Sequence, residues 1–222
     1  MDAALLLLVD GRFPAGGHTY SAGVEAAVAA GDVRDAATLE RYLGGRLATT
    51  GRVDAAFAAS SSAHLGDAAF LDRLDAEYSA RIMSPYLRDT SRRLGRQLMR
   101  AAIQIWPRPD LDVVATTPGG PHQALALGAV VACAGATPAD AAALAFHHLG
   151  AAVTSAAVRL LGLDPIELAG VQARAGRAVE DSRDEWAGWA NCPPAELPAD
   201  GGTLTEVLGE RHGGLDARMF IA

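Results

Sequence analysis

The residues in this sequence that could do chemistry are six histidines, two cysteines, a serine run and one glycine-rich segment, and their spacing narrows each of them. Among His18, His64, His122, His147, His148 and His212 the one close pair is His147–His148. Adjacent residues on a helix point about 100° apart, so this pair does not share a face as ligands spaced i, i+4 would. One packed ring and one solvated ring is the plainer reading; a metal site bridging two chains through His18 or His122 is the alternative. Cys133 and Cys192 form no C-x-x-C pair, which argues against a zinc knuckle or a disulfide framework and for a reducing compartment. Ser60, Ser61 and Ser62 lie outside any G-x-S-x-G turn. All 19 basic residues are arginine, so P-loop, Schiff-base and general-base lysines are excluded.

The densest special segment is Phe13-Pro14-Ala15-Gly16-Gly17-His18-Thr19-Tyr20-Ser21-Ala22-Gly23-Val24-Glu25. Glycines ahead of a helix N-terminus can free backbone N–H groups for a phosphate. Here the Walker spacing, the lysine and a preceding strand are all missing, which favours a structural or partner-binding loop. Arg92, Arg93 and Arg96 could offer guanidinium groups to a partner's carboxylates or phosphates, or could form a solvated helix face. Trp186 and Trp189 fit either the core or a partner anchor.

The elements that must position these residues are helices. Alanine and leucine dominate, 50% of residues are hydrophobic and 5% aromatic, and no run alternates with period two. About eight to ten helices are expected in one compact all-α domain spanning residues 1–222. They cover roughly Asp2–Asp10, Ser21–Gly31, a helix capped by Asp35, Arg52–His64, Asp67–Met83 with a stop near Pro85, Thr90–Trp106 and His122–Ala134. Helices opened by Thr137-Pro138 and Asp164-Pro165 follow, the first reaching Leu161 and the second about Glu180. Pro107 to Pro121 reads as the clearest loop, and Thr203-Leu204-Thr205-Glu206 as a capping box for a last helix. A net charge of -7 and pI near 5.3 argue against nucleic acid. The longest uncharged apolar run, Ala124–Ala136, is too short to span a bilayer, and the apolar start lacks a basic n-region. A cytoplasmic protein without a membrane role is expected.

Several motifs in order resemble the UreF family of urease accessory proteins. They are Asp10-Gly11-Arg12-Phe13-Pro14-Ala15-Gly16-Gly17, Ser21-Ala22-Gly23-Val24-Glu25, Ser91-Arg92-Arg93-Leu94-Gly95-Arg96, His122 with Gly128, Arg159-Leu160-Leu161-Gly162-Leu163-Asp164-Pro165, and Arg218-Met219-Phe220. Tyr20 stands where the family often carries His, and Ala222 where Ser is common. The resemblance implies an all-α homodimer with no catalytic activity, no cofactor and no resident metal. It implies binding to UreD (also called UreH), recruitment and regulation of the GTPase UreG, and nickel delivery to apo-urease. The expected partner-binding residues are Pro14, Gly16, Gly17, Tyr20, Ser21, Gly23, Glu25, Ser91, Arg92, Gly95, Arg96, His122, Arg218 and Phe220, with 203–222 as a partner-binding tail. Two other readings remain: a chaperone holding nickel through His18 or His122 at a symmetric interface, and a helical enzyme using Glu25, His18 and arginines.

Overall fold

A computed structural model describes residues 3–11, 13–14, 19–214 and 218–221. They form twelve α-helices and no strand, so the all-helical expectation holds. The first half contains α1 (Ala3–Val9), α2 (Val24–Ala29), α3 (Ala36–Arg46), α4 (Arg52–Ala63), α5 (Ala68–Ala80) and α6 (Pro85–Ile105). The second contains α7 (Pro109–Ala115), α8 (Gln123–Cys133), α9 (Pro138–Leu161), α10 (Pro165–Glu180), α11 (Arg183–Trp189) and α12 (Thr203–Gly213). A π-turn at Leu47–Gly51 joins α3 to α4 as one continuous rod.

Local grammar explains most of these boundaries. Asp35 and Thr38 form a reciprocal capping box, as do Thr137 and Asp140, and Asp164 caps α10 through Ile166 N. Ser84 does the same for α6, with Pro85 in the first position. Proline there was expected to stop α5, and it begins α6 instead, because a missing N–H costs nothing in a first turn. The Pro107–Pro121 stretch is corrected likewise: Pro109 opens α7, whose Leu111 and Val114 are buried. The capping box at Thr203 does not form. Gly202 holds the cap position without a side-chain bond, and the Glu206 carboxylate instead accepts the backbone N–H of Ser84 at 2.7 Å. Replacing Thr137 with Ala should destabilise the chain by about 1 kcal/mol, the usual loss for such a cap, readable as a small fall in urea midpoint.

α8 lies at the centre, packed against α4, α6 and α9, and is buried from Ala124 through Val131. Alanine allows this closeness, and glycine allows more: a Cβ on Gly128 would lie 2.1 Å from Ala58 O. α9 has the length and hydropathy to cross a membrane, yet 61% of that stretch is buried against its neighbours, as for a core helix. Trp186 and Trp189 belong to the core, Trp186 packing on Phe146 with ring centroids 5.5 Å apart. α12 packs on α6 and α2, which brings the C-terminal residues back to the start of the chain.

Candidate functional site

The residues singled out by sequence gather in two clusters. In the first, residues 19–25 meet residues 218–221. Ser21 N donates to Ile221 O at 3.1 Å and Ile221 N donates to Thr19 O at 2.6 Å, a short parallel pairing of Tyr20 with Ile221. Glu25 closes the contact. Its carboxylate accepts the Met219 N–H at 2.6 Å and the Phe220 N–H at 3.0 Å, and lies 2.8 Å from His212 Nε2. Burial alone would raise the Glu25 carboxyl, but the Met219 amide, the His212 ring and the Phe220 amide together hold it below its ordinary value. Phe220 is buried beneath the Arg159 guanidinium, 4.3 Å from its ring centroid, and Arg218 donates to Tyr86 Oη at 3.3 Å. The Tyr86 hydroxyl is 3.2 Å from His212 Nδ1.

The turn that presents Glu25 carries strain. Ala22 has φ 52° and Gly23 φ 84°, two successive left-handed residues. For alanine this costs about 1–2 kcal/mol, so something must hold it. The buried Arg46 guanidinium and the Tyr42 hydroxyl, the latter at 2.8 Å, both donate to Ala22 O. Glycine is required next door, where a Cβ would sit 2.7 Å from Tyr42 Oη. Neither Tyr42 nor Arg46 was among the expected site residues. The signal was a charged side chain among the apolar positions Leu39 and Leu43 of α3 and Leu47 just beyond it.

The second cluster is built by Ser91, Arg92, Gly95 and Arg96 of α6 against the loop before α8. Arg92 donates to Gly120 O at 2.5 Å and pairs with Asp75 at 2.8 Å; Arg96 donates to Gly119 O. Gly95 admits the loop backbone, since a Cβ there would lie 2.0 Å from Pro121 O. His122, fully buried, has Nδ1 3.0 Å from Ser91 Oγ and Nε2 2.8 Å from Ser79 Oγ. Ser91 Oγ also accepts Gln123 N–H, and Ser79 Oγ accepts an Arg92 N–H, an arrangement that suits a neutral ring with one nitrogen donating and the other accepting. Burial first, then Arg92 and Arg88, lower the His122 pKa to about 3. Because this is below the unfolded value of 6.5, the ring contributes stability above pH 6.5 that is lost as pH falls. About 2 kcal/mol should be gone by pH 5. NMR of the His122 ring should show no protonation between pH 8 and 5 while the chain stays folded.

With both nitrogens engaged and no exposure, His122 is not placed to ligate nickel in this conformation. Gly16, Gly17 and His18 lie outside the described residues, and Pro14 is exposed. His148 Nε2 is 2.9 Å from Leu8 O, at the end of α1. Among the described residues no three His, Cys, Asp or Glu side chains converge. Between the two clusters, Tyr20, Asp54, Tyr78 and Gln123 line both a cavity of about 210 Å³ and a smaller one of about 70 Å³. Tyr78 donates to Asp54 at 2.5 Å, and burial, against the pull of Tyr78 and Arg46, pushes the Asp54 carboxyl up to about 6. One carboxylate between two phenols lacks a nucleophile–base pair. The larger cavity is lined as well by Asp10, His147, His148 and Ser155.

Residues 33–176 match the family model described as UreF. The chain is 39% identical over 210 residues, 95% of its length and 94% of the relative's, to the urease accessory protein UreF of Mycolicibacterium vanbaalenii. It is 42% identical over 167 residues to that of Mycobacterium marinum, and 34% identical over 220 residues to that of Mycobacterium tuberculosis. The chain belongs to the UreF family. As a member it is a non-catalytic accessory protein of urease maturation. The family model stops short of both ends, whereas alignment with the tuberculosis relative covers 99% of this chain, so the paired termini fall within the similarity.

Proposed function

We propose that this chain is a cytoplasmic scaffold which binds UreD (UreH), recruits the GTPase UreG through it and regulates that GTPase during nickel delivery to apo-urease. The seating of Met219 and Phe220 on Glu25 carries this reading: a short C-terminal segment is held on the body by a carboxylate that accepts two of its backbone N–H groups and by one buried ring, a structure suited to presenting a partner surface. Tyr20, Arg218 and Met219 reach that surface, while Ser21, Gly23, Glu25 and Phe220 are buried beneath it and hold its shape. Ser91, Arg92, Gly95, Arg96 and His122 fix the loop before α8. A homodimer fits the outward side of α1, where Leu6, Leu7 and Val9 are 56%, 42% and 38% exposed.

Deleting residues 215–222 tests the assignment. The variant should keep its helical circular dichroism and lose the complex with purified UreD. A truncated chain that binds UreD as tightly as the full one removes the tail from the interface.

A further inference from the structure

The outer line of α6 consists of Asp89, Arg93, Arg96, Arg100 and Gln104, all exposed. Other arginines of this helix are used internally: Arg92 pairs with Asp75, and Arg88 donates to Ile82 O and Met83 O. Arg96 has a carbonyl partner, Gly119 O, which fixes its direction without neutralising its charge. Arg93 and Arg100 make no hydrogen bond or ion pair among the described residues. A chain of net charge -7 thus places three guanidinium groups on one face of one helix, with Asp89 the one carboxylate along it. Where that helix ends, Ile105 is 42% exposed, and Val113 of the adjoining α7 is 41% exposed.

We infer that this face of α6, with Arg93, Arg96 and Arg100, docks an acidic surface of a partner protein. The inference rests on the scaffold reading above and adds a second contact region to it, away from the tail. Arg93 and Arg100 are seven residues apart, two helical turns or about 10.5 Å, which matches carboxylates two turns apart on a partner helix. Arginine suits this because its planar fork binds carboxylate with two parallel bonds. An acidic chain repels an acidic partner overall, so a local cationic face sets the approach and orientation, within a screening length of about 8 Å. Nucleic acid fits less well: three phosphate contacts give a salt slope of only about -3, with no lysine and an acidic remainder.

The test uses the full-length chain, with association to immobilised UreD, and to UreD with GTP-loaded UreG, followed at 50 and 300 mM NaCl. The Arg93→Glu/Arg100→Glu variant should associate at least tenfold more slowly at low salt, with the gap narrowing at high salt. Arg41→Glu/Arg177→Glu, which makes the same change in net charge on exposed residues elsewhere, should fall much less. Equal losses in the two variants, or none in the first, overturn the inference while leaving the scaffold reading in place. Wild-type binding of a labelled DNA duplex at 150 mM NaCl that vanishes in Arg93→Glu/Arg100→Glu, with partner association unchanged, also overturns it. A wild-type chain that binds neither partner overturns both readings together.

Discussion

Replacing Glu25 with Ala should raise the amide exchange rates of Met219, Phe220 and Ile221 about a hundredfold or more, with a much smaller change in the exchange of α8. The carboxylate serves three donors at once, the Met219 and Phe220 N–H groups and the His212 ring. Each bond to a charged acceptor is worth about 1.5–3 kcal/mol, and Nε2 of the fully buried His212 loses its partner as well. Even part of that sum, about 3 kcal/mol, gives the hundredfold effect. Release of the tail is a local opening, so the global melting temperature moves less than the local exchange. Binding of UreD should weaken by at least tenfold, because the tail must then be ordered during association. The contact also has a pH dependence. Glu25 titrates below its ordinary 4.5, so docking holds above that value and is lost as pH falls through the lowered one. Unchanged exchange at Met219 and Phe220 in Glu25→Ala would remove the latch from the account.

Gly95→Ala should cost about 3 kcal/mol and lower the melting temperature by about 10 °C. The new methyl would lie 2.0 Å from Pro121 O and 3.0 Å from His122 C, both backbone atoms of a loop that Arg92 and Arg96 already hold by its carbonyls. No flexible side-chain end is available to give way. The loop must lift, and the Ser91–His122–Ser79 bonds go with it. Alanine gains about 1 kcal/mol of helix propensity over glycine, too little to offset this. His122, once wetted, should titrate near its ordinary 6.5 instead of about 3. Gly176→Ala is the matched control: it lies inside α10 with nothing within 4 Å of the added Cβ, and should stabilise by up to about 1 kcal/mol. A Gly95→Ala chain as stable as the parent would mean that the loop packs elsewhere.

The helices were legible because their signals are local. Asp35, Thr137 and Asp164 announce their helices within four residues, and composition excluded strands. Pro85 and Pro109 misled because one residue type both ends helices and begins them; only the burial of Leu111, Val114 and Leu94 resolves which. The motif residues Glu25, Ser91, Gly95 and Arg96 could be picked out, but what they touch could not. Glu25 meets residues 194 and 195 positions away, a distance over which spacing says nothing. Arg46, Tyr42 and His212 escaped for the same reason. Each acts through a partner brought near by the fold: Arg46 and Tyr42 through Ala22 O, His212 through Glu25.

Whether this chain works by assembling with other proteins is decided by size-exclusion chromatography with light scattering, on the purified chain alone and then mixed with its cognate UreD and GTP-loaded UreG. The chain alone should elute as a dimer, and the mixture should yield a defined complex containing all three proteins. A chain that elutes unchanged beside both partners would mean that it does not act as a scaffold.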